Sequence, residues 1–123
     1  MAVKRLHRSN DIRAVFAARN VAHGRLLSVY GRGANDREQC RIAVVGGRDV
    51  GNAVRRNRAK RRLRAAIQIG DLPGGLDLVV RAKPPAVDAS FAALRSELAQ
   101  LLDRVGRRAE GALSTRSRPA DTR

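Results

Sequence analysis

The apolar positions of the chain fall into blocks whose spacing switches between helical and extended. "SNDIRAVFAARN" (9–20) sets Ile12, Val15 and Phe16 at i, i+3, i+4, the stripe of a short helix. Ser9 is placed to cap it, and Asp11 lies in the first turn, where the helix dipole favours negative charge. "RLLSVYGRG" (25–33) alternates instead: Leu27 and Val29 point one way, and Leu26, Ser28 and Tyr30 the other. "CRIAVVGG" (40–47) is a second strand, rich in β-branched residues. "LDLVVRAK" (76–83) is a third, with Leu76, Leu78, Val80 and Ala82 on one face and Pro84 and Pro85 ending it. A last helix from about Asp88 to Val105 buries Phe91, Leu94, Leu98, Leu101, Leu102 and Val105, and Gly106 closes it. A further short strand fits near 20–24. Residues 1–8 are basic and extended, and 107–123 lack periodicity, as a disordered basic tail would. The pattern predicts a single α+β domain over 1–106, one sheet with helices against it.

Between the second and third strands the pattern changes character. From Asn52 to Ile69 the period is helical, with Asn52 as N-cap and "GDLPGG" (70–75) as the stop. Ala59, Leu63, Ala66 and Ile67 make a thin buried stripe. Seven of the ten residues from 55 to 64 are Arg or Lys, and no acid occurs between Asp49 and Asp71. Asn57, Arg58, Arg61, Arg62 and Arg64 occupy the opposite side, with Arg55 at its edge. Arg56 and Lys60 land beside the apolar stripe, so they snorkel outward or the helix is rotated from the ideal wheel. Like charges at i, i+3 and i, i+4 cost a few tenths of a kcal/mol per pair. Phosphates would supply the missing counter-charge. Neutralising about five phosphates of a duplex would make affinity fall roughly 500-fold for a fourfold rise in salt. A solvated basic face that touches nothing is the plainer alternative, but this segment lacks the interleaved acids of such a helix.

Composition sharpens this. The 123 residues carry a net charge of +15, which points to a polyanionic partner. Arg outnumbers Lys, which occurs only at 4, 60 and 83; phosphate recognition and a GC-rich coding bias both favour that choice. Phe16, Tyr30 and Phe91 are the three aromatics, so the core is aliphatic. Cys40 stands alone, which leaves no disulfide framework or cysteine-based metal site. It reads as a small buried or half-buried residue. No apolar stretch resembles a signal peptide or approaches a membrane span, so the expectation is a cytoplasmic protein. The acids are scattered, with Asp49 and Asp77 alone near strands of interest. His7 and His23 have no nucleophile or ligand spacing beside them and fit surface or RNA-contact roles. No catalytic or metal-binding constellation emerges, which argues against a metal-dependent nuclease in its own right. Strands flanking the basic helix argue against a DNA-binding helix-turn-helix.

"GNAVRRNRAKRRLR" (51–64) closely resembles the signature of the bacterial ribonuclease P protein component. The match runs through Gly51, Asn52, Ala53, Val54, Arg56, Asn57, Arg58, Lys60, Arg61 and Arg64. "KRLHRSNDIRAVF", "RIAVVGGRDVG" and "VVRAKPPA" are similar to the family's first helix, the strand entering the signature, and the last strand, so the likeness spans about residues 3–105. The resemblance implies an αβββαβα sandwich with a four-stranded sheet and the basic helix in a left-handed crossover. It implies the protein subunit of an endoribonuclease that matures the 5′ end of tRNA. The catalytic groups and Mg²⁺ would belong to the RNA subunit, with no cofactor on the protein. The implied partners are the catalytic RNA and precursor tRNA, with no membrane and no obligate protein partner. Arg48, Asn52, Arg55, Arg56, Asn57, Arg58, Lys60, Arg61, Arg62 and Arg64 would face RNA. Ile12, Phe16 and Tyr30 would line a cleft for the single-stranded leader, although core packing for Phe16 and an ordinary sheet position for Tyr30 are the alternatives. Ile12 stands where the family usually has Phe, which weakens stacking there. "GGRD" (46–49) replaces Ser and two basic residues; Arg48 keeps one charge, while Asp49 reverses the other or caps the next helix. A ribosomal or general structured-RNA-binding protein is the competing reading.

Overall fold

The alternating blocks become strands of one mixed sheet, and the periodic blocks become helices on both of its faces. The computed structural model describes residues 3–33, 40–69 and 75–117. In chain order the elements are β1 (Val3–Arg5), α1 (Ser9–Ala17), β2 (Val21–His23), β3 (Leu27–Gly33), β4 (Cys40–Gly46), α2 (Ala53–Ile69), β5 (Leu76–Ala82) and α3 (Phe91–Ser117). The sheet order is β1-β4-β5-β3-β2. The four expected strands, β2 to β5, form its body. The extended N-terminal segment adds a three-residue edge strand, β1, parallel to β4. β4 and β5 are also parallel, whereas β3 is antiparallel to both β5 and β2.

Strand alternation divides the core in two. Leu27 and Val29, Cys40 and Ile42, and Leu76, Leu78, Val80 and Ala82 face α2 and α3 in the larger cluster. Ala43 and Val79 face the other way and pack with Leu6 and Val15 of the α1 layer, with Ile12, Tyr30 and Val45 half-buried around them. α3 presents Leu94, Leu98, Leu101, Leu102 and Val105 to the sheet as its spacing predicts, with Phe91 half-buried. The close approach of α3 to β3 requires Gly31: a β-carbon there would lie 2.1 Å from a methyl of Val105.

Several boundaries differ from the sequence reading. The Arg8 carbonyl already accepts from Ile12 N, so Ser9 is the first helical residue and its side chain makes no cap bond. The prolines at 84 and 85 do not merely end β5; they open a single 3-10 turn, Pro84–Val87, and α3 begins only at Phe91. Ser90 caps it, its hydroxyl accepting from Ala93 N at 3.1 Å. Gly106 does not close α3. The helix runs on through Ser117, into the 107–123 segment whose sequence lacks periodicity; residues 118–123 lie outside the described residues. A helical glycine costs about 1 kcal/mol. Here it is offset by burial of Ala109, the i, i+4 pair of Asp103 with Arg107 at 3.0 Å, and an Arg108 Nη1 bond to the Val21 carbonyl at 2.6 Å.

The turn between β2 and β3 is clasped from α3. Glu97 accepts three main-chain N–H bonds, from Arg25 at 3.0 Å, Leu26 at 2.7 Å and Leu27 at 3.0 Å. Hydrogen bonds to a charged acceptor are worth about 1.5–3 kcal/mol. Glu97→Ala should therefore lower stability by about 2–3 kcal/mol, read as a lower urea midpoint at unchanged m.

Candidate nucleic-acid interface

α2 connects two parallel neighbours, so it must cross from the end of β4 to the start of β5. Its entry is fixed by Asn52, whose Oδ1 accepts from Arg55 N at 3.0 Å. Asn52 is thus the N-cap the sequence predicts. Asp49 is not; it sits in a short 3-10 turn, Arg48–Val50, and pairs with Arg81. The helix is held to the sheet by Ala59, Leu63, Ala66 and Ile67, all buried. Arg56 and Lys60 are half-buried beside this stripe, with the Arg56 main chain resting over Gly46.

The charged side is not uniform. Arg55, Asn57, Arg58, Arg61 and Arg64 are exposed, as is Arg48 in the preceding turn, whereas Arg62 is half-buried. Arg62 Nη1 donates to the carbonyls of Ala86 at 2.8 Å and Val87 at 3.0 Å, and Nη2 donates to that of Ala89. Arg58 Nε also reaches the Val87 carbonyl, at 3.0 Å, and Arg55 Nε reaches that of Val50 at 3.2 Å. Part of the counter-charge thus comes from carbonyl dipoles of the same chain. Arg62 acts first as a tether between α2 and the 84–89 turn. Among the described residues, no cation of α2 pairs with a carboxylate. The chain therefore leaves Arg61 and Arg64, one helical turn apart, facing solvent without an ion-pair partner among those residues.

The opposite face of the sheet brings Ile12, Phe16 and Tyr30 together. The Phe16 ring meets Tyr30 edge-on, with centroids 4.7 Å apart at 72°. Phe16 is 40% exposed, a cost that pure core packing does not explain. Ile12 is half-buried against the same cluster. His23 stands edge-on to Tyr30 at 6.4 Å, and its Nδ1 lies 2.8 Å from Ser28 Oγ. His23 thus joins this face, while His7 is exposed, its Nδ1 3.4 Å from the Arg5 carbonyl. The two predicted residue groups sit on opposite sides of the sheet, α2 over the larger core cluster and Ile12 and Tyr30 against the smaller one.

That face also carries charges the sequence reading did not assign. Arg41 Nε and Nη2 grip the fully buried Asp77 at 2.9 and 2.8 Å, and Nη1 reaches Asp11 at 3.4 Å. The hydrogen bonds to Asp77 hold the Arg41 guanidinium even more firmly protonated than usual, against the cost of its desolvation. Arg81, on the same face of β5, is exposed. The signal for it was present: if Leu76, Leu78, Val80 and Ala82 share a face, Asp77, Val79 and Arg81 share the other. Among the described residues no three His, Cys, Asp or Glu side chains gather as metal ligands would, and no helix is long and apolar enough to cross a membrane.

The fold and this surface define a small α+β protein built around a cationic crossover helix. Its relatives make the class specific. A family model described as Ribonuclease P matches residues 1–106. The chain is 42% identical over 104 residues to the ribonuclease P protein component of Acidothermus cellulolyticus, covering 82% of this chain and 87% of that one. It is 36% identical over 111 residues to that of Beutenbergia cavernae, covering 89% and 93%. The solved RNase P protein from Thermotoga maritima is similar with a TM-score of 0.72 at 26% identity, over 82% of this chain and 96% of that one. The chain belongs to the ribonuclease P protein component family.

Two predictions follow from the geometry. In the isolated protein, Arg62→Ala should cost about 1–3 kcal/mol of stability through the lost charged hydrogen bonds, whereas Arg61→Ala should stay within about 0.5 kcal/mol; denaturant titration compares them. Burial, then the charge of Asp77, pushes the Cys40 thiol up from 9.0 to about 11. The unfolded thiol ionises first, so this contribution to stability is complete below pH 9.0 and is lost as pH rises to about 11. Cys40→Ala should flatten that alkaline decline in a pH series of unfolding curves.

Proposed function

We propose that this chain is the protein subunit of ribonuclease P, binding the catalytic RNA through α2 and the single-stranded 5′ leader of precursor tRNA through the Phe16–Tyr30 face. The observation that carries the reading is the division of labour across the sheet. Arginines without carboxylate partners among the described residues lie on one side, and an exposed aromatic pair lies on the other. The first arrangement suits the phosphates of a folded RNA, which Arg can bind bidentately. The second suits unstacked bases, since an aromatic face is worth about 1–3 kcal/mol per stacked base. Arg61 and Arg64 carry the phosphate contacts, with Arg48, Arg55, Arg56, Asn57, Arg58 and Lys60 around them. Asn52 acts by fixing the start of α2, and Arg62 by tethering it. Ile12 supplies an apolar wall rather than a stacking ring.

On this reading the protein's part in 5′ maturation is binding and orientation. It adds contacts to the leader that the RNA lacks and places cationic side chains beside the RNA backbone. Endonucleolytic hydrolysis is assigned to the RNA subunit together with its Mg²⁺, and the reaction takes place in the bacterial cytoplasm. A general RNA-binding protein would not distinguish precursors by leader length.

Reconstitution with a ribonuclease P RNA tests this. The protein should lower the Mg²⁺ concentration needed for leader cleavage and tighten binding of precursors with longer leaders. Arg61→Ala should weaken assembly with the RNA and flatten its log–log salt dependence by about 0.9 for each duplex phosphate lost. Phe16→Ala or Tyr30→Ala should reduce the advantage of a longer leader by about 1–3 kcal/mol, while an unchanged leader-length dependence refutes the assignment of that face.

A further inference from the structure

The α1 face of the sheet holds two arginines in very different settings. Arg41 is bidentate to a buried carboxylate. Arg81 lies in the next but one row, where the register sets Val45, Arg81, Ser28 and His23 side by side across β4, β5, β3 and β2. Its Nη2 stands 3.7 Å from Asp49 Oδ1, and the side chains are 44% and 57% exposed. That separation is an ion pair without a hydrogen bond. Exposed pairs of this kind are worth about 0–1 kcal/mol, so a better anion can take the guanidinium.

The pair nonetheless has a built place. A β-carbon at Gly47 would lie 2.4 Å from Asp49 Oδ1 and 2.9 Å from both Arg81 Nε and Nη2. Asp49 and Arg81 therefore occupy the space that a side chain at 47 would fill. Arg81 is also well placed relative to the aromatic pair. Tyr30 registers with Val79, two residues from Arg81 along β5, which is about 7 Å. This is close to the reach from a base to its own phosphate.

We propose that Arg81 is a phosphate-binding residue on the floor of the Phe16–Tyr30 face, and that Asp49 competes with the RNA backbone for it. The proposal rests on reading that face as the leader site. A phosphodiester entering the row gains a bidentate cation only by displacing Asp49, whose carboxylate then repels it. Backbone charge alone is thus poorly rewarded, and a strand binds well only when its bases also stack. The pair shifts selectivity from charge towards stacking.

The test uses the protein assembled with a ribonuclease P RNA and two precursor tRNAs, one with a long leader and one with a minimal leader. Asp49→Asn should tighten the long-leader precursor about threefold, the size of one exposed ion pair, and leave the minimal-leader precursor unchanged. Such a gain cannot arise from misfolding. Arg81→Ala should weaken the long-leader precursor about threefold and reduce its log–log salt slope by about 0.7, one single-strand phosphate. In the Arg81→Ala background, Asp49→Asn should have a smaller effect, because only the direct repulsion between carboxylate and phosphate is left to relieve. A wild-type particle blind to leader length overturns the reading of the face, and the proposal with it. A particle that senses leader length, but in which Asp49→Asn tightens both precursors equally or acts undiminished without Arg81, overturns the proposal alone.

Discussion

Parallel neighbours cannot be joined by a hairpin, and β4 and β5 lie parallel at the centre of the sheet. The chain leaving Gly46 must return to the far end before Leu76, and α2 is the span that takes it there. Most other features follow from that connection. The helix has to lie on the sheet, so it needs an apolar stripe. Four small or branched residues suffice, because the remaining circumference is free to face solvent. The same geometry puts the N-terminus of α2 near the end of β4. There Arg48, Asp49 and Asn52 gather.

The crowding of arginines on α2 is handled in two ways. Arg55, Arg58 and Arg62 turn back onto main-chain carbonyls, which offer partial negative charge without introducing an acid. Arg61 and Arg64 have no carboxylate partner among the described residues. The helix is thereby fastened by some of its cations and keeps others available. A carboxylate in place of those carbonyls would also fasten the helix but would weaken the positive field around it.

The period-2 and period-3.6 patterns were legible because they follow from which side chains must be buried. Ala59, Leu63, Ala66 and Ile67 could be found on a wheel, and Leu27 and Val29 by alternation. The Asn52 cap was legible because it is a local bond between neighbours. The tethers of Arg58 and Arg62 were not, since a carbonyl acceptor some twenty to thirty residues away leaves no mark in composition. Gly106 misled for a related reason: packing of Val105 and Ala109 overrode a local preference. Ser9 misled because the Arg8 carbonyl already accepts from Ile12 N, which puts Ser9 inside the helix. At the candidate site, Phe16 and Tyr30 were recognisable by type, but their mutual 4.7 Å contact belongs to the tertiary fold. Arg81 was visible by alternation yet had no meaning until Asp49 was found beside it.

Both margins of the sheet end in strands only three residues long, β1 at one side and β2 at the other. Short margins offer few open main-chain donors and acceptors to a second molecule. One of them, Val3–Arg5, also carries the exposed Arg5, whose charge repels a like copy. Strand-by-strand growth into fibres is thereby discouraged. Brevity at the rim thus works alongside the charge of this chain against adding a further strand to its own sheet.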